Sequence, residues 1–336
     1  MKLLNFSLSP VKGVVRMGAY LSARRCVVDL ATTWEQYADR SRQSGVERFP
    51  GSMLALITAG EPLWNAVRRL LAELDNSPQA GPASHLDQPI TYPLEAVSLH
   101  APLERPPSLR DFYAFEQHVV TAFANRDRQV PPEWYRAPVF YYSNPNAILA
   151  PNAALPCPVY TQELDYELEI ACIISRPGRD ILASQAESYI FGYTILNDWS
   201  ARDEQRWEMR VGLGPAKGKD FASSLGPWIV TPDELSAKHT GRAGVYDLAM
   251  SARVNGEERS RGNWSDLHYS FGQMIERASA QVWLQPGDVI GSGTVGSGCL
   301  LEITRGLGPW LQPGDLVELE IEGLGVLANT ITLPGQ

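Results

Sequence analysis

The chain has 336 residues, 44% of them hydrophobic and 20% charged, with a formal net charge of −9. That is the composition of a globular protein with core enough for one large or two ordinary domains, not of a disordered chain. The acidic balance without a basic stripe argues against a nucleic-acid partner, and no apolar run reaches the ~20 residues of a membrane span.

In chain order, residues 1–30 read as short strands over 3–8, 11–20 and 25–30. Helical pattern follows over 33–42. A second helix opens at Pro62, a favoured first-turn residue, and carries Val67, Leu70, Leu71 and Leu74 on one face. The turn formers Asn76, Ser77, Pro78, Gly81 and Pro82 suggest a boundary there. The expected organisation is therefore a small β-rich domain with helices over 1–80 and a larger domain over 90–336, entered by a strand over 92–102. The start Met1-Lys2-Leu3-Leu4-Asn5-Phe6-Ser7 turns polar sooner than a secretory signal does. The cysteines Cys26, Cys157, Cys172 and Cys299 show no CxxC spacing, so reduced thiols in a cytoplasmic protein are expected.

From about residue 137 the chain is mostly β, with strands bounded by Pro, Gly and Asn. Leu284-Gln285-Pro286-Gly287-Asp288 recurs as Leu311-Gln312-Pro313-Gly314-Asp315, each a tight turn before a strand. Few crossover helices are visible, so a doubly wound parallel sheet is disfavoured. The fold class expected is α+β, mostly β: a mixed β-roll or barrel with flanking helices.

Four carboxylates sit where carboxylates are awkward: Asp111, Glu167, Glu169 and Asp198. Glu167 and Glu169 lie within Leu164-Asp165-Tyr166-Glu167-Leu168-Glu169-Ile170-Ala171-Cys172-Ile173-Ile174, a run that otherwise reads as a buried strand. Residues two apart in a strand share a face, and two carboxylates on one apolar face repel unless a cation lies between them. All-oxygen ligands point to Mg2+ or Ca2+ rather than zinc. The competing reading is an edge strand with a solvated acidic face.

Ser108-Leu109-Arg110-Asp111 has a capping-box-like pattern and predicts a helix start, continued by Phe112, Phe115, Val119, Val120 and Phe123. On such a helix Asp111 and His118 face the same way, nearly two turns apart. Each also has an ordinary reading, Asp111 as a first-turn acid and His118 as a surface histidine. A β-rich run stops at Asn197-Asp198, before Arg202 and Gln205, which share a face if a helical turn forms. Asp198 would equally serve as a cap of that turn. Lys219 stands beside Gly218. The segment from Gly291 to Gly298 is glycine-rich but lacks a P-loop lysine, so a nucleotide reading fails. Its backbone N–H groups are candidates for holding a substrate carboxylate. Glu302 falls on an expected short strand over 300–304.

These segments together resemble the fumarylacetoacetate hydrolase superfamily over residues 108–328. The resemblance is carried by Asp111-Phe112-Tyr113 with Gln117-His118, and by Leu164-Asp165-Tyr166-Glu167-Leu168-Glu169. It continues in Gly192-Tyr193-Thr194 with Asn197-Asp198-Trp199-Ser200-Ala201-Arg202-Asp203, in Gly218-Lys219 with Phe221, in Ser292-Gly293-Thr294, and in Leu301-Glu302. It implies a small N-terminal β domain before a mixed β-roll catalytic domain, a homodimer, and hydrolytic C–C cleavage of a small 1,3-diketo acid. By the same resemblance Asp111, Glu167, Glu169 and Asp198 hold Mg2+ or Ca2+, with Mn2+ a third candidate. His118 and Glu302 activate water, and Lys219, Gln205 and Arg202 stabilise developing charge. Tyr113, Tyr141, Arg126 and Thr294 contact substrate. Arg126 stands eight residues after His118 where the family has nine, and Met209 replaces a family tyrosine. A 2-oxo acid decarboxylase, an isomerase or a sugar-acid dehydratase would use the same metal platform. A non-catalytic Ca2+-binding module would need the carboxylates alone.

Overall fold

A computed structural model describes residues 1–8, 13–36, 48–76 and 89–335. Its centre is strand Leu168–Ile174, in which every residue is buried. This strand pairs antiparallel with Ile190–Asn197 on one side and Val289–Gly291 on the other. A strand covered on both faces reads as a continuous apolar run, which is how Ile170 to Ile174 reads. Its side chains alternate between two cores: Ile170, Cys172 and Ile174 enter one, Ala171 and Ile173 the other.

Among the described residues the sheet extends to 12 strands. Lys2–Ser7 joins it by pairing with Ser223–Val230 and carries Arg16–Leu21, Cys26–Asp29 and Thr91–Pro93 outward from there. At the other end Val289–Gly291 pairs parallel with Leu109–Phe112, which pairs with Phe140–Ser143. Helix Glu61–Asn76 buries Leu63, Ala66, Val67, Leu70, Leu71 and Leu74. These side chains cover the face of the sheet that presents Leu3, Ala171, Ile173 and Ile229. The opposite face packs against a five-stranded sheet ordered Glu257–Asn263, Ala249–Val254, Leu316–Ile321, Gly325–Thr332, Ala154–Pro156. The molecule is thus a mostly β α+β fold. The two Pro-Gly-Asp turns are alike in structure. In each, the Asp N–H donates to the Gln carbonyl at 3.0 Å and the Asp carboxylate accepts from the Gln N–H at 2.8 Å.

Several expectations are corrected. Residues 109–112 form a strand, not a helix, and the helix begins only at Glu116 and ends at Ala124. Asp111 and His118 therefore share no helical face. The Ser108 hydroxyl, expected to cap, donates instead to Asp288 at 2.6 Å. Residues 300–303 form a short helix rather than a strand. The run from 164 is broken, Leu164–Asp165 and Leu168–Ile174 being separate strands. Strand 92–102 is likewise split into Thr91–Pro93 and Ser98–His100. The second strand starts at Arg16, and the first helix spans Leu30–Gln36. The rest of the expected helix over 37–42, and most of the boundary segment over 76–82, lie outside the described residues.

Candidate active site

The four carboxylates come together. One oxygen from each of Asp111, Glu167, Glu169 and Asp198 lies within 4.8 Å of the others, and all four residues are buried. They arrive on three stretches of chain, in or beside strands of the central sheet. Asp111 is held by the pairing of Leu109–Phe112 with Val289–Gly291. Glu169 belongs to the central strand, while Glu167 precedes it in the break after Asp165, where the Asn197 side chain accepts from its backbone N–H at 3.0 Å. Asp198 follows the end of strand Ile190–Asn197. The solvated edge-strand reading of Glu167 and Glu169 is excluded by their burial, 5% and 0% exposed. The capping reading of Asp198 fails too, because the residue before helix Arg202–Glu208 is Ala201 and no side chain caps it.

The glycine-rich segment closes the cage from behind. The Gly293 N–H donates to Asp111 Oδ1 and to Glu169 Oε2, each at 3.2 Å, and Thr294 Oγ1 donates to Glu169 at 3.4 Å. The Gly293 N–H is thus spent on the protein's own carboxylates, while the N–H groups of Ser292 and Val295 donate to the carbonyls of Ile170 and Leu168. Gly293 has φ +77°, and a Cβ there would meet the Phe112 carbonyl oxygen at 2.4 Å. No other residue fits.

Burial, together with repulsion from Asp198, pushes the Asp111 carboxyl well above its ordinary range. Burial, with repulsion from Asp111 and Glu167, does the same to Glu169. Burial also raises Asp198, more than the Lys219 ammonium lowers it. Glu167 moves the other way. Lys219 and Arg202 outweigh the effect of burial and bring it down to about 2. Lys219 Nζ bridges Glu167 and Asp198, and Arg202 Nη1 lies 2.8 Å from Glu167. Tyr141 donates its hydroxyl to Asp198 Oδ2 at 2.5 Å.

The residues fit a divalent cation. Five buried carboxylates (these four and Asp165) meet two cations, Arg202 and Lys219. Asp198 Oδ1 is buried without a hydrogen-bond partner. A hard, oxygen-seeking ion would relieve both the charge excess and the unpaired oxygen.

Beside the cage stands a second cluster. His118 Nδ1 lies 2.7 Å from Glu302 Oε2, both side chains buried. The oxygen sits off the line of the ring N–H, so the contact is close without yet being a well-formed hydrogen bond. Glu302 Oε2 also accepts from the Gly298 N–H at 3.2 Å and the Cys299 thiol at 3.6 Å. The Tyr113 ring meets the His118 ring edge to face, centroids 5.2 Å apart.

Both clusters border one cavity of ≈ 380 Å³. Of the residues singled out in the sequence, Asp111, Tyr113, His118, Arg126, Tyr141, Glu167, Glu169, Arg202, Gln205, Lys219 and Thr294 all line it. Asp198 and Glu302 lie behind them, in contact with Lys219 and His118. Met209 also lines the wall. Arg126 is exposed at the rim. Gln205 accepts from Arg202 Nη1 at 3.2 Å. Two supporting carboxylates were missed. Glu208 accepts the N–H groups of Ala216, Lys217 and Gly218 at 2.7, 2.8 and 3.1 Å, fixing the approach to Lys219. Asp165 binds Arg202. The alternation that marked Glu167 and Glu169 already included Asp165.

Residues 108–332 match the family model described as fumarylacetoacetate (FAA) hydrolase, C-terminal. The fumarylacetoacetase of Aspergillus fumigatus is 29% identical over 339 residues, covering 84% of this chain and 77% of its own. A fumarylacetoacetate hydrolase structure from psychrophilic Exiguobacterium antarcticum is 25% identical with a TM-score of 0.68, covering 99% of each chain. A structure of 5-carboxymethyl-2-hydroxymuconate delta-isomerase from Mycobacterium smegmatis is 27% identical with a TM-score of 0.64, covering 99% of this chain and 100% of its own. Among the described residues no helix is long and apolar enough to cross a membrane.

Proposed function

The chain belongs to the fumarylacetoacetate hydrolase family, and on that premise we propose that it hydrolyses a C–C bond in a small 1,3-diketo acid. The observation that carries this reading is the contact of His118 with Glu302 beside the carboxylate cage. A C–C hydrolase must make hydroxide from water next to the group that binds its substrate. An isomerase or decarboxylase on the same platform needs no water-activating pair.

Glu302 faces Nδ1 of the imidazole, so Nε2 is the nitrogen left to take a proton from water. This pairing of a ring nitrogen with a carboxylate favours the tautomer that keeps the other nitrogen basic. Hydroxide adds to one carbonyl carbon of the substrate. Lys219, Arg202 and Gln205, all on the cavity wall, face the oxyanion that forms, and one such donor is typically worth about 3–4 kcal/mol. The bond between that carbon and the central carbon then breaks. The central carbon keeps the electron pair and takes the proton carried by His118. The products are a carboxylic acid and a shorter keto acid, and water is the only co-reactant. A Mg2+, Mn2+ or Ca2+ ion held by Asp111, Glu167, Glu169 and Asp198 would supply Lewis acidity toward the substrate oxygens. Tyr113, Tyr141, Thr294 and Arg126 would orient the substrate. The assembly we propose is a homodimer in the cytoplasm.

The test is an acylpyruvate panel in H2(18)O. Hydrolysis removes the ultraviolet band of the enolised diketone and places one label in the released acid. Loss of the band with an unlabelled rearranged product would assign the chain to the isomerases.

A further inference from the structure

Asp165 is fully buried, 0% exposed, yet it touches neither the cavity nor the four carboxylates of the cage. Two elements of the site converge on it. From one side comes Arg202: its Nε donates to Asp165 Oδ2 at 2.8 Å, and its Nη2 lies 2.8 Å from the same oxygen. From the other side come the first N–H groups of helix Leu300–Ile303. Leu300 N donates to Oδ1 at 2.8 Å and Leu301 N to Oδ2 at 3.0 Å. That helix carries Glu302, and the residue before it, Cys299, provides no side-chain cap. The orphan N–H groups of a helix start need acceptors, and here a residue distant in sequence supplies them.

We infer that Asp165 is a positioning residue that sets Arg202 and Glu302 in register through one carboxylate, resting on the function proposed above. The local backbone supports the role. The pairs Leu164–Ala201 and Asp165–Ser200 form a two-residue antiparallel ladder, so Asp165 is fixed beside the start of helix Arg202–Glu208. The Arg202 N–H donates to the Glu163 carbonyl at 2.9 Å on the same ladder. Arg202 reaches onward to Glu167 and Gln205, and Glu302 reaches onward to His118. Asp165 is the atom-level junction between the charge-stabilising arm and the water-activating arm. An asparagine offers one acceptor oxygen and adds two donors, so it cannot satisfy both arms. A glutamate keeps the charge that Arg202 needs but pushes the two arms apart by a methylene.

The experiment compares D165N and D165E with wild type and with L70A, a cavity variant in the rear core of the sheet. Three quantities are read: thermal midpoint, kcat and KM on a hydrolysed acylpyruvate, and the 15N shifts of the His118 imidazole, which report its tautomer. For D165E, kcat falls about 10–100-fold while KM stays within about three-fold. The His118 shifts move toward an unbiased tautomer mixture in both Asp165 variants and not in L70A. Because D165E retains the buried charge, it decides the matter if D165N does not fold. Wild-type kcat and His118 shifts in D165E overturn the inference. So do equal changes in L70A at equal loss of thermal midpoint. If wild type hydrolyses no diketone, the proposed function falls, and the His118 shifts still decide the role of Asp165.

Discussion

His118 reaches Glu302 across two separate elements, helix Glu116–Ala124 and helix Leu300–Ile303, with Nδ1 2.7 Å from Oε2. The pair borders the carboxylate cage without contributing a carboxylate to it. Proton transfer and cation binding are thereby assigned to different side chains. His118→Ala lowers kcat by about 10²–10⁴-fold, the usual contribution of a positioned base. Its cation affinity, measured by calorimetric titration with Mn2+, stays within about three-fold of wild type. A large loss of affinity would show that the histidine ligates the ion.

The cage makes the metal-free protein pH-sensitive in a definite direction. Asp111 and Glu169 titrate well above their ordinary range in the folded state. Between the unfolded and folded values the native chain therefore holds more protons than the unfolded one, and stability falls as pH rises through that window. Chelator-treated protein melts at a lower temperature at pH 8 than at pH 5. Added Mg2+ or Mn2+ raises the melting temperature more at pH 8, because the cation replaces the protons. In Glu169→Gln the metal-free slope flattens and cation affinity drops. Equal cation-induced shifts at both pH values would contradict the assignment.

Gly293 tests the backbone that supports the cage. Its φ of +77°, and the 2.4 Å that would separate an alanine Cβ from the Phe112 carbonyl oxygen, leave no space for a side chain. Gly293→Ala costs about 1–3 kcal/mol from the left-handed backbone alone. Displacing the N–H from Asp111 and Glu169 also weakens cation binding. Calorimetric unfolding with and without Mn2+ separates the two effects. An unchanged midpoint in both states would refute the account.

Arg126 borders the cavity from its exposed rim. Removing its charge affects substrate capture rather than chemistry, so Arg126→Ala raises KM about ten-fold or more with kcat little changed. Steady-state kinetics on a diketo acid read this directly. A fall in kcat at constant KM would place Arg126 in the chemical step.

Much of the site was legible because carboxylates in apolar β segments stand out. Glu167, Glu169 and Asp198 were conspicuous for that reason, and the cage confirms their proximity. The local structure around Asp111 was not legible. Ser108 to Asp111 carries a helix-start pattern, but pairing on both sides of Leu109–Phe112 outweighs that weak local preference. Residues 300–303 failed in the opposite sense. Their helix depends on Asp165, distant in the chain, accepting the N–H groups of Leu300 and Leu301, and no local pattern encodes such a partner. The role of Gly293 was hidden in a glycine-rich segment, because only the folded chain brings its N–H to Asp111 and Glu169. Asp165 was passed over although it shares the alternation of Glu167 and Glu169, because its partners, Arg202 and the N–H groups of Leu300 and Leu301, meet it only in three dimensions.

The central claim is that a divalent cation sits among Asp111, Glu167, Glu169 and Asp198. Anomalous diffraction from crystals grown with Mn2+ tests it most directly. The account predicts one strong peak bonded to oxygens of all four residues, with Lys219 drawn off at least one of the carboxylates it now bridges. No peak there at saturating Mn2+, or a peak at His118, Cys299 and Glu302 instead, would contradict it.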